Sequence, residues 1–248
     1  LVTGPTGSGK TTTLYSILNH LNSDAVNIMT LEDPVEYPMT LIRQASVGEA
    51  AKLDFAGGIR ALLRQDPHAI LVGEIRDADT AEMAFRAALT GRQVFSTLHT
   101  NSAVGTFPRL LDLGIVPDIL AGNIIGIVGQ RLIRKLCLTC RQPYEPDMRE
   151  RTLVGIPPAE NTLLYRGVGC DHCEYQGYRG RVTIMEILRI EAGLDELIAR
   201  RANAAEILAA ARTRGFTTLA EDGARLARRG ITSVEELIRV VDLTDRMG

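Results

Sequence analysis

The segment Gly4-Pro5-Thr6-Gly7-Ser8-Gly9-Lys10-Thr11 constrains this chain more than any other. It fits the pattern GxxxxGK[ST], in which glycines let the backbone curl until several N–H groups face one phosphate. The helix that follows offers its positive N-terminal end to the same anion. The flanks suit that geometry. Leu1-Val2-Thr3 reads as the tail of a strand, and Leu14, Ile17, Leu18 and Leu21 recur at the spacing of an amphipathic helix that stops at Asn22-Ser23-Asp24. The loop residues Gly4, Pro5, Thr6, Gly7, Ser8, Gly9, Lys10, Thr11 and Thr12 are therefore expected to bind a nucleotide. Lys10 is expected to reach the β and γ phosphates, and the Thr11 hydroxyl to ligate Mg²⁺.

Three more strand ends are readable. Ala25 to Leu31 reads as a strand stopped by Pro34, delivering Glu32 and Asp33, with Glu36 soon after. Ala69 to Val72 is a short apolar run typical of a buried parallel strand, delivering Gly73 and Glu74. Gln93 to Leu98 delivers His99. Helical patterns lie between, at Leu53–Arg64 and Thr80–Thr90. Alternating strands and helices imply an α/β fold with a parallel sheet, whose ligands gather at the carboxyl ends of the strands. Nucleotide hydrolysis needs Mg²⁺ held, water oriented and γ-phosphate charge neutralised. Glu74 is assigned to the Mg²⁺ shell or its waters, although Gly73 stands where an aspartate is expected. Glu32 is assigned to polarising the attacking water, and His99 to sensing the γ-phosphate.

Four cysteines form two pairs, Cys137/Cys140 and Cys170/Cys173, separated by 29 residues. Each CxxC places two thiolates on one turn, so the set makes a tetrahedral Zn²⁺ site that uses all four and leaves no open position. Two disulfides or a redox pair are the alternatives, but disulfides are uncommon in the reducing compartment expected of a Mg²⁺-nucleotide hydrolase. His172, inside the second pair, is read as a bystander. From Ala192 onward the chain reads as short helices with glycine punctuation at Gly215, Gly223 and Gly230. Thr232/Glu235 and Ser233/Glu236 are two overlapping capping-box patterns. Arg225, Arg228 and Arg229 read as an ordinary solvated helix face.

Composition removes several function classes. Lys and Arg number 28 against 30 Asp and Glu, and residues 1–136 carry 12 basic and 13 acidic side chains. That balance gives no electrostatic case for a nucleic-acid partner. The longest nearly apolar stretch, Ile119 to Gly129, falls short of the roughly 20 residues that span a bilayer. No Asn-Lys-x-Asp segment is present to select guanine, so ATP is the expected nucleotide.

The motifs together resemble the secretion ATPases that drive type II secretion and type IV pilus assembly. The matching pieces are the phosphate loop, Thr30–Tyr37, Leu63-Arg64-Gln65-Asp66-Pro67, Gly73-Glu74-Ile75-Arg76-Asp77, Ser96–Asn101 and Gln130-Arg131-Leu132. The resemblance implies a RecA-like P-loop core at 1–136, a four-cysteine zinc module at 137–182 and a helical C-terminal subdomain at 183–248. It implies Glu32 as general base, Glu74 near Mg²⁺, and a functional His99. It also implies a cytoplasmic hexamer, peripheral at the inner membrane, that works on a platform protein and a cytoplasmic adaptor. Assembly ATPases of the family resemble the four-cysteine pattern, whereas retraction ATPases generally lack it. A RecA-like DNA translocase and a pilus retraction motor are the alternatives. The family carries a preceding N-terminal domain with arginine fingers. The Leu1 start, inside the strand feeding the loop, is therefore read as truncation, with weak hydrolysis and weak assembly expected. Departures from the pattern are His68 where an acid usually stands, Gln176 for a threonine, and the segment Ile184-Met185-Glu186.

Overall fold

A computed structural model describes residues 1–48 and 52–243. The elements run β1 (Val2–Thr3), α1 (Lys10–Leu21), β2 (Ile28–Glu32), β3 (Ile42–Ser46), α2 (Phe55–Leu62), β4 (Ala69–Val72), α3 (Ala78–Leu89) and β5 (Gln93–Leu98). Then come α4 (Thr106–Asp112), α5 (Pro117–Leu120), β6 (Gly126–Leu136), β7 (Arg141–Tyr144), α6 (Met148–Val154), β8 (Leu164–Gly167) and β9 (Tyr178–Arg189). Four helices close the described chain: α7 (Ala192–Ala199), α8 (Ala204–Arg212), α9 (Leu219–Arg228) and α10 (Val234–Val240).

The main sheet has the order β3-β2-β4-β5-β1-β6-β9. Each pairing among β1 to β5, and that of β1 with β6, is parallel. The fold is α/β with a mostly parallel sheet, as the strand–helix alternation predicts. Strands β2 and β4 are buried along their whole length, which is why they read as continuous apolar runs and not as alternating ones. Helices α2 and α3 start on Asp54 and Asp77, whose side chains accept the Gly57 and Thr80 N–H groups. This cap ends the first orphaned turn of each helix.

The chain clusters into two compact units, 1–129 with 187–216, and 130–186 with 217–248. The first holds β1 to β5 and helices α1 to α5, and α7 and α8 belong to it. Its core includes Leu14, Leu18, Leu31, Ile59, Ile70 and Leu98. The second holds the cysteine pairs, the antiparallel β7–β8 ribbon and α6, α9 and α10, around Ile133, Leu153, Leu164, Ile184 and Leu237.

Several elements differ from the sequence expectation. Edge strand β3, Ile42-Arg43-Gln44-Ala45-Ser46, carries no apolar run and pairs with β2 alone. Gly223 is not punctuation but lies inside α9, where an added Cβ would stand 2.2 Å from Leu237 Cδ1. It permits α9 and α10 to approach. The capping boxes before α10 are also only half right. Ser233 caps the helix by accepting the Glu236 N–H, but the Glu236 carboxylate turns instead to Arg134 and Arg239. Thr232 donates its hydroxyl to the Arg134 carbonyl.

Candidate functional site

The sheet order sets the strand ends side by side. Reading across β2, β4, β5 and β1, the carboxyl ends deliver Glu32, Glu74, His99 and the glycine-rich loop in sequence. Parallel register fixes this edge: Leu31 pairs with Val72, Val72 with Ser96, and Thr3 with Leu98.

The loop itself meets the requirement of a phosphate cradle. Gly7 and Gly9 take φ of 77° and 88°, values that side-chain-bearing residues rarely adopt. Gly9 starts α1 with no side-chain cap and no acid in the first turn, leaving the helix's positive end available to an anion. Lys10 Nζ donates to the Gly4 and Pro5 carbonyls at 2.9 and 3.2 Å, so the ammonium lies over the loop. Thr11 and Thr12 follow in the first turn of α1. These residues fit a nucleotide phosphate with its Mg²⁺.

Glu74 sits two residues beyond β4 and is half-buried. It pairs with Arg76, and its other oxygen stands 3.4 Å from His99 Nε2. Arg76 also reaches Asp33 at 3.4 Å. Donating to the Glu74 carboxylate raises the Arg76 guanidinium further above its ordinary value. Gly73 explains why the acid is set late. A Cβ there would meet the Leu31 carbonyl at 3.1 Å and Glu32 Cα at 3.3 Å. A side chain at 73 would make the β2 backbone give by a few tenths of an ångström. Asp77, in the same motif, is occupied as the α3 cap.

Glu32 is 4% exposed. One oxygen accepts from Thr30 and, at 3.2 Å, from Gln44 Nε2; the other accepts from the Tyr15 hydroxyl. Burial, and then the bond to Glu32, push the Tyr15 phenol well above its usual value. Tyr15 and Gln44 were not singled out from sequence. Tyr15 follows Leu14 beside the apolar stripe of α1, and a buried tyrosine hydroxyl demands a partner. That is the signal that was available. Of the residues placed by motif, His68 lies at the opposite strand edge, where its Nδ1 accepts the Asn27 N–H at 3.0 Å.

The four cysteines converge. Their sulfurs all lie within 4.8 Å of one another, with Cys137–Cys170 at 3.9 Å and Cys140–Cys173 and Cys170–Cys173 at 3.8 Å. All four are free thiols. Tetrahedral zinc with Zn–S of about 2.3 Å requires sulfur separations of about 3.8 Å. The donor set therefore fits a structural zinc ion. Burial raises the Cys173 thiol, but N–H groups of Cys170 and Gly177 outweigh it and bring the thiol down to about 7. His172 faces Arg179 instead.

Residues 1–239 match the family model described as "Type II/IV secretion system protein". The chain belongs to this family. It is 48% identical over 240 residues to type II secretion system protein E of Pseudomonas aeruginosa, covering 97% of this chain and 48% of that one. It is 47% identical over 246 residues to the type IV pilus assembly ATPase TfpB of Acinetobacter baylyi, covering 98% and 42%. Among solved structures, the pilus retraction motor PilT with bound ADP aligns with TM-score 0.72 at 30% identity, over 96% of this chain and 59% of that one. The chain spans about half the length of the curated relatives it matches. Among the described residues no helix is long and apolar enough to cross a membrane.

Proposed function

We infer that this chain carries the Mg²⁺-dependent ATP-hydrolysing site of a motor that assembles pilins or pseudopilins. The observation that carries the reading is the convergence of the phosphate loop, Glu32, Glu74 and His99 on four adjacent strand ends. In that reading the N–H groups of the Gly4–Thr12 loop, Pro5 apart, and the Lys10 ammonium bind and neutralise the phosphates. Bound Mg²⁺ supplies charge neutralisation across the phosphates, with Thr11 and Glu74 as the residues that would hold it or its waters. Glu32 takes a proton from the attacking water, and His99, beside Glu74, faces the γ-phosphate end. The water oxygen bonds to the γ phosphorus as the bond from that phosphorus to the β–γ bridging oxygen breaks, which releases ADP and phosphate.

The wider assignment rests on the family. Its members named above belong to type II secretion and type IV pilus assembly. A hexamer, an inner-membrane platform protein, a cytoplasmic adaptor and a peripheral location at the inner membrane follow as part of the proposal. We carry forward the division into a core at 1–136, a zinc module at 137–182 and a C-terminal subdomain at 183–248 on the same basis. Zinc on Cys137, Cys140, Cys170 and Cys173 favours assembly over retraction. The balanced charge disfavours a DNA track.

The test is nucleotide binding and turnover. Wild type is expected to bind and hydrolyse ATP with Mg²⁺, and Lys10→Ala to lose both. Hydrolysis unaffected by Lys10→Ala would overturn the site. Stimulation by single-stranded DNA would favour the translocase.

A further inference from the structure

A carboxylate offers about four acceptor positions, two on each oxygen. In Glu32 three are used. Thr30 and Gln44 fill Oε1, and Tyr15 takes one position on Oε2. Among the described residues this leaves an acceptor position open on Oε2, the oxygen that Tyr15 orients. Tyr15 is itself fixed. It is 1% exposed, its ring meets Tyr37 edge to face at a centroid distance of 4.7 Å, and its oxygen accepts from Gln44 Nε2 and the Glu36 N–H at 3.3 and 3.4 Å. It lies in α1, five residues beyond Lys10, so the helix that starts at the phosphate loop also grips Glu32.

We propose that Tyr15 is a positioning residue for Glu32: its hydroxyl turns Oε2 so that the acceptor position left open on this oxygen receives the proton of the attacking water. The inference rests on the hydrolase reading above and deepens it. A phenol at this place ties the direction of the base to the helix that holds the phosphates. Neither atom can then shift without the other. Gln44 completes the arrangement from β3. Its amide nitrogen lies 3.2 Å from Glu32 Oε1, 3.3 Å from the Tyr15 hydroxyl and 3.2 Å from the Tyr37 carbonyl and shares its two hydrogens among them, while its oxygen is engaged by the Met39 N–H at 2.6 Å.

The experiment compares wild type, Tyr15→Phe, Glu32→Gln and the double variant, each as the full-length protein. Removing one hydroxyl keeps the ring and its packing. Affinity for a non-hydrolysable ATP analogue should stay within about twofold, while kcat of Tyr15→Phe falls about 10- to 100-fold, as loss of near-attack geometry does. In the Glu32→Gln background the same substitution should change kcat by less than about twofold, because coupled residues are not additive. Independently of turnover, ¹³C-tyrosine spectra at neutral pH should show the Tyr15 ring-carbon resonance beside the hydroxyl move in Glu32→Gln, because the phenol then donates to a neutral amide and not to a carboxylate. A wild-type kcat in Tyr15→Phe, an equal loss in both backgrounds, or an unmoved Tyr15 resonance in Glu32→Gln would each overturn the proposal. Absence of turnover in wild type overturns the hydrolase reading instead, and the Tyr15 resonance still decides whether Tyr15 grips Glu32.

Discussion

Glu236→Gln tests how the second compact unit is held. Glu236 is 0% exposed, yet its two oxygens receive the Arg134 backbone N–H, Arg134 Nε and Nη2, and Arg239 Nε and Nη2, all at 2.7 to 2.9 Å. Burial pushes the carboxyl up, but the hydrogen bonds from Arg239 and Arg134 outweigh it and hold it at about 2 against an ordinary 4.5. A difference of that size corresponds to about 3 kcal/mol at neutral pH. The arginine side chains are 38% and 58% exposed, so solvent screening reduces the expected loss to about 2 kcal/mol. The sign follows from the depressed pKa. The contribution is complete above the unfolded value near 4.5 and disappears as pH falls through the folded value near 2. Urea unfolding followed by circular dichroism, with hydrogen exchange on the α10 amides, measures it. The variant should be less stable than wild type at about pH 7, and the gap should close toward about pH 2 as the native carboxyl protonates. Equal stability at neutral pH, or a gap that persists in acid, would refute the account.

Two further outcomes follow. Freshly purified protein should hold about one zinc per chain, and replacing Cys137 or Cys173 with serine should release it and lower the melting temperature of the second unit; metal analysis with calorimetry checks this. Gly73→Ala should cost about 1 to 3 kcal/mol and lower kcat with little change in nucleotide affinity, since the new Cβ makes the β2 backbone beside Glu32 give by a few tenths of an ångström; denaturant unfolding and steady-state kinetics check it.

Much of the phosphate edge was legible because its signals are local. The loop, the apolar run of β4 and the Gln93–Leu98 strand each declare themselves within a few residues, and β5 spans the residues expected. What escaped the sequence depends on distant partners. Tyr15 finds Glu32 seventeen residues away, through sheet packing that no local pattern encodes. Glu236 reads as a cap because Ser233 is three residues before it, while its stronger partner Arg134 is 102 residues distant. Strand β3 was missed because half of an edge strand faces solvent and keeps polar side chains. The cysteine pairs were legible as a four-thiolate zinc set, with two disulfides or a redox pair as the rivals. Sulfur separations of 3.8 to 3.9 Å among free thiols favour the metal.

The crowding at Gly73 carries a consequence for how this site can vary. A Cβ at 73 would lie 3.1 Å from the Leu31 carbonyl and 3.3 Å from Glu32 Cα, so a side chain there makes the β2 backbone give by a few tenths of an ångström. The order glycine-then-glutamate keeps the acid clear of that seam. An acid moved from 74 to 73 would press on the β2 backbone, and so would a bulky residue at 73 with Glu74 intact. The place of the charge is thus a property of two strands and not of one residue.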